Sequence, residues 1–63
     1  MSYTREVKKR LRAAGCHLLR QGRGDHEVWQ SPINGARFTV DGKIMSRHTA
    51  NGTLEDAGLD KAF

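Results

Sequence analysis

The apolar residues of this chain fall into two helical stripes separated by short runs of alternating character. Val7, Leu11 and Ala14 recur at helical spacing and form one narrow stripe. Thr4 stands before it as an N-cap, its hydroxyl placed to accept from first-turn amides. Glu6 lies where the positive helix end favours an acid, and Gly15 follows as a C′ residue. These signals predict a first helix over about Arg5–Ala14. Ala50, Leu54 and Ala57 form the second stripe, with Ser46 as N-cap, Gly58 at C′ and Leu59 placed to pack back on the last turn. They predict a helix over about Arg47–Ala57. Gly52 costs about 1 kcal/mol against alanine inside a helix, and the branched Thr53 lowers propensity further. The second helix is therefore expected to be the softer one.

Three strands are predicted between the stripes, over Cys16–Gln21, His26–Gln30 and Ala36–Val40. Gly22-Arg23-Gly24 makes the first turn, and Pro32 with Asn34-Gly35 marks the second, Asn-Gly being a hairpin signal. Phe38 and Val40 share a face, and Asp41-Gly42 closes the third strand. The order predicts an α+β fold, α-β-β-β-α, with a three-stranded antiparallel sheet and both helices on one face. Double-stranded-RNA-binding domains share this arrangement, but an arrangement alone does not assign a function.

The chain has 63 residues, which makes one domain spanning 1–63. So short a chain buries only about 60% of its unfolded surface, and small folds are commonly helped by disulfides, a metal or association. The single cysteine, Cys16, has no partner for an internal disulfide and reads as a small buried apolar residue. Cys16, His17, His26 and His48 lack metal-ligand spacing, so neither a metal nor another cofactor is expected. Association with a partner is left as the expected help. The N-terminus is charged from Arg5 onward with no apolar run behind it, and no stretch is long and apolar enough to span a membrane. The expected compartment is the cytoplasm, which also suits a free cysteine.

Charge is unevenly placed. Met1–Arg23 carries seven basic residues against Glu6 alone, whereas Gly24–Phe63 carries four basic residues against six acidic ones. A basic end of this kind attracts phosphate backbones in a salt-sensitive way. Lys8, Lys9 and Arg12 on the first helix would supply diffuse attraction to RNA. The competing reading is a solvated helix face that keeps the protein soluble.

Gly24-Asp25-His26 is the stretch that offers chemistry. A histidine can move protons near neutral pH. RNA cleavage requires a proton to leave the 2′-hydroxyl and another to reach the departing 5′-oxygen. Arg20, Arg23 and the amides flanked by Gly22 and Gly24 are placed in sequence to stabilise the charge that develops on phosphorus. Arg47 and Thr49 lie at a helix start, where phosphate binds readily. His48 lies there too and competes for a direct role, and His17 reads as a packed or solvent-facing strand residue. Trp29 reads as a core or protein-contact residue in preference to a base-stacking one.

The run from Gly15 through Leu19-Arg20-Gln21-Gly22 to Gly24-Asp25-His26 resembles HicA-type toxins. So does the stretch Lys43-Ile44, Ser46-Arg47-His48-Thr49-Ala50-Asn51, Leu54 and Ala57-Gly58-Leu59. These are small mRNA interferases of bacterial type II toxin–antitoxin pairs, and the similarity covers nearly the whole chain. The resemblance implies a double-stranded-RNA-binding-like fold, cleavage of mRNA by one histidine, and neutralisation by a HicB-type antitoxin in a heteromeric complex. It maps the family histidine onto His26 and the motif glycine onto Gly24. Gly52, Thr53 and Cys16 depart from the family pattern, and are expected to weaken the core while leaving the chemistry intact. Two functional classes stay open on the residues: a ribonuclease toxin, and a non-catalytic RNA-binding module of the same fold. Loss of His26 separates them, since a binder tolerates it and an enzyme does not.

Overall fold

The computed structural model describes residues 2–63, and its elements follow the predicted order: α1 (Thr4–Ala13), β1 (His17–Gln21), β2 (Glu27–Gln30), β3 (Arg37–Val40) and α2 (Arg47–Asp56). Both helix ends at Gly15 and Gly58 are Schellman closures. Cys16 N–H donates to the Leu11 carbonyl, and Leu59 N–H donates to that of Leu54. Ser46 caps α2 as expected, its hydroxyl accepting from Thr49 N–H at 3.1 Å. The start of α1 differs from expectation. Tyr3 holds the N-cap position without a side-chain cap, and Thr4 is already helical. The Thr4 hydroxyl is instead spent on a distant loop: it accepts from Ile44 N–H at 2.9 Å and donates to the Gly42 carbonyl at 3.3 Å. Tertiary partners here outcompete the local amides.

The sheet has the order β1-β2-β3 and is antiparallel throughout. Cys16, His26 and Ala36 each fall just outside the strands predicted to begin with them. Register places Trp29 opposite Leu18 on one side and Phe38 on the other. That row, with Val40, faces the helices. Trp29, Phe38 and Val40 are buried against Val7 and Leu11 of α1 and Ala50, Leu54 and Ala57 of α2, with Cys16 and Ile44 completing the core. Cys16 thus packs as read. Trp29 is 2% exposed, which removes it from base stacking. Two layers result, with one sheet face covered by helices and the other free.

The loops bind the ends of the molecule together. Ser31 Oγ donates to the Ala57 carbonyl at 2.6 Å and Asn34 Nδ2 to that of Asp56 at 3.1 Å, so the β2–β3 loop caps the end of α2. At the opposite end, Tyr3 N–H donates to the Ile44 carbonyl at 2.7 Å, so the β3–α2 loop is tied to the start of α1. Asn51, buried in α2, accepts from the amides of Ala62 and Phe63 and pins the C-terminal tail. These contacts tie both α2's last turn and its Asn51 to the rest of the fold. Thr53 is buried, and its hydroxyl donates to the Thr49 carbonyl.

Candidate active site

The β1–β2 connection is a tight turn in which His26 N–H donates to the Arg23 carbonyl at 3.1 Å. Gly24 has φ +61° and Asp25 does not have positive φ, which is the pattern of a type II′ turn and the reason for glycine there. Beyond the turn, the His26 carbonyl accepts from Gly22 N–H at 2.7 Å and from Gln21 Nε2 at 2.9 Å. The His26 backbone is therefore clamped from the facing strand, while its side chain stands 47% exposed.

The register of β2 and β3 pairs Glu27 with Val40, and one further step sets His26 opposite Asp41. Their side chains meet: His26 Nε2 lies 3.4 Å from Asp41 Oδ1, and 3.8 Å from Asp25 Oδ1. Both contacts are ion pairs whenever the ring carries a proton. Asp25 in turn lies flat on the backbone of Gly42, where a β-carbon would come within 2.6 Å of its carboxyl carbon. Gly42 is the residue whose carbonyl accepts from Thr4. The imidazole is thus oriented by two carboxylates that are themselves seated on the loop held by the first turn of α1. The His26 side chain as a whole stays about half exposed.

The other predicted residues divide between two surfaces. Arg20, Arg23 and Gly24 belong to the His26 hairpin, and all three are exposed. Arg47 opens α2, exposed at the same end of the fold, with His48 beside it. Lys8, Lys9 and Arg12 lie on α1, across the sheet from the outward side of this hairpin. Lys9 is exposed, but the other two are engaged. Lys8 bridges Glu27 at 3.1 Å, and the Arg12 guanidinium covers the Trp29 ring at 5.5 Å. The Trp29 indole N–H also donates to Glu27 at 3.0 Å. The indole hydrogen bond, followed by that from Lys8, holds the Glu27 carboxyl below its ordinary range. His17 is exposed on β1.

Asp41 was readable in sequence only as the end of a strand. The signal for its role is the pairing register, which depends on the length of the β2–β3 loop. Among the described residues, no group of three or more His, Cys, Asp or Glu side chains is arranged to hold a metal ion. A shallow groove of about 340 Å³ lies between the C-terminal parts of α1 and α2, against Ala14, Leu54 and Leu59, at the end of the fold away from His26.

A family model described as the HicA toxin of bacterial toxin–antitoxin systems matches residues 4–59. This chain belongs to the HicA toxin family. No curated protein and no solved structure matches it. The HicA match begins at α1 and ends at Leu59, the last residue of the α2 closure, so it takes in every element described above. Membership makes the chain a toxin of a toxin–antitoxin pair, with an antitoxin as partner. No helix among the described residues is long and apolar enough to cross a membrane.

Proposed function

We propose that this HicA-family toxin is a metal-independent endoribonuclease that cleaves mRNA with His26 as its catalytic residue and is neutralised by a HicB-type antitoxin. The observation that carries the reading is the state of His26. Its backbone is clamped, its ring is backed by Asp41, and its side chain is 47% exposed on the hairpin that also carries the exposed Arg20 and Arg23.

The reaction uses the RNA's own nucleophile. The 2′-oxygen attacks phosphorus, its proton passes to a base, and the bond from phosphorus to the 5′-oxygen breaks as that oxygen takes up a proton. The products are a 2′,3′-cyclic phosphate and a free 5′-hydroxyl. His26 serves as the proton-transfer group, and Arg23 and Arg20 stabilise the extra negative charge on the phosphoryl oxygens. Gly24 leaves the turn open to close approach by a phosphate. Arg47 at the start of α2 and Lys9 on α1 add attraction for the strand. Lys8 and Arg12 contribute their charge to the same field from positions already committed to Glu27 and Trp29.

The antitoxin reading rests on family membership and on surface character. β1 is an edge strand, and its Leu18 and Leu19 are 48% and 38% exposed. Apolar side chains on a free edge beside the His26 hairpin suit a protein cover. The cytoplasm, where mRNA is found, is the compartment this function requires.

The test is expression of the wild type and His26→Ala without antitoxin, following growth and RNA integrity. Arrested growth and fragmented RNA from the wild type, with neither from a folded His26→Ala, is the expected result. A folded alanine variant that fragments RNA at the wild-type rate removes His26 from the chemistry. A wild type that binds RNA without cutting it favours the non-catalytic module.

A further inference from the structure

Both helices cover one face of the sheet, and the register specifies what stands on the other. His17, Gln30 and Arg37 form one cross-strand row, and Arg20, Val28 and Thr39 form the next. His26 opposite Asp41 ends the series. The bulge between Leu18 and Arg20 brings Arg20 onto this outward face. Arg20 and Arg37 are exposed, and neither has an acid within ion-pair distance among the described residues. On α1, Lys8 is paired with Glu27 and Arg10 with Glu6, while Arg5, Lys9 and Arg12 have no acid within that distance among the described residues. The carboxylate in the outward rows, Asp41, faces His26.

We propose that extended single-stranded RNA lies across this helix-free sheet face, with Arg20 and Arg37 holding successive phosphates and leading the scissile phosphate to His26. The proposal rests on the ribonuclease reading and specifies where the substrate lies. Three features of the face select this occupant. Adjacent rows are about 6.8 Å apart along the strands, a spacing that suits successive phosphates running along β2. Arg20 and Arg37, on opposite edge strands about 9.6 Å apart, bracket that line from its two sides. Arg20 reaches in from β1 and Arg37 from β3, so the two cations flank a track that ends at the imidazole. A duplex recognised by shape engages about 16 base pairs, far more than these three rows span. The cross-strand rows of this face hold no aromatic side chain, so it offers no stacking platform. Contacts to phosphate and sugar position a strand without reading its bases. This face therefore imposes little sequence preference.

The test uses the purified toxin and a short single-stranded oligonucleotide, 2′-O-methylated throughout so that it cannot be cleaved. Binding is followed by fluorescence anisotropy over a range of salt concentrations. Arg20→Gln and Arg37→Gln should each weaken binding about fourfold near physiological salt and lower the log–log salt slope by about 0.7. Lys61→Gln, which removes a tail charge outside the track, should change neither. Amide shifts on titration should centre on Val28 and Thr39. Unchanged slopes in both arginine variants, or shifts confined to α1, overturn the proposal. So does a double variant that loses antitoxin binding while keeping its affinity for the oligonucleotide, since the face then belongs to the protein partner. Because the probe is inert, a toxin that binds it through both arginines yet cleaves no RNA refutes the catalytic reading and leaves the track standing.

Discussion

His26 and Asp41 face each other across the β2–β3 pair, with Nε2 and Oδ1 3.4 Å apart. The contact makes Asp41 a positioning residue for the imidazole. Asp41→Ala should lower kcat by up to about 10²-fold, the scale on which a small misplacement of a catalytic group is felt. KM should stay level or fall, because a negative charge has been taken from beside a polyanion. Asp41→Asn keeps an oxygen toward the ring and should recover part of the loss. Single-turnover cleavage, with ring nitrogen shifts of His26 measured by NMR, checks both points. An unaltered ring environment in Asp41→Ala removes the positioning role even if activity falls.

Cleavage should persist in excess EDTA and leave a 2′,3′-cyclic phosphate or the 3′-phosphate formed from it. This follows from attack by the RNA's own 2′-hydroxyl with proton transfer at His26. His26→Ala should slow the reaction about 10²- to 10⁴-fold. End-group analysis of the fragments decides the matter, and a 3′-hydroxyl product would contradict the mechanism.

Glu27 ties the sheet to α1 through Trp29 and Lys8. Its carboxyl is held below an ordinary value of 4.5 by those partners, the indole first. A depressed folded value means that the ionised group stabilises the fold above 4.5, and that this contribution is lost as pH falls through the folded value. Glu27→Gln should therefore cost about 1 kcal/mol at neutral pH. Its deficit against the wild type should shrink in acid. Urea unfolding at neutral and acidic pH measures the difference, and a deficit independent of pH would assign the cost to packing instead.

Gly52 lies inside α2, and a β-carbon built there meets nothing within 4 Å. Gly52→Ala should stabilise the free toxin by about 0.5–1 kcal/mol through helix propensity alone. That corresponds to a rise in Tm of about 4–8 °C for a domain of this size. Thermal unfolding followed by circular dichroism is sufficient, with cleavage expected to be unchanged.

The two helices, their glycine closures, the core stripes and the location of a histidine after a glycine turn were all legible along the chain. Each depends on spacing or on backbone conformations that neighbouring residues impose. Val7 and Leu11 at helical spacing bury one face whatever lies opposite, and Gly24 accepts a positive φ before any tertiary contact forms. Thr4 shows where such reasoning ends: its hydroxyl could serve its own helix or the Gly42–Ile44 loop, and only packing of the two chose the loop. The pairing of His26 with Asp41 is of the same kind. A two-residue turn on Asn34-Gly35 would have set His26 opposite Lys43. The observed loop is longer because Ser31 and Asn34 turn aside to cap the end of α2, and the register moves with it. A register shift leaves local propensities almost untouched, yet changes which side chain faces the imidazole. The same dependence governs the basic residues. Charge placement marks Lys8, Lys9, Arg12 and Arg20 alike, but folding engages Lys8 with Glu27 and Arg12 with Trp29, and leaves Arg20 and Arg37 free on the open sheet face.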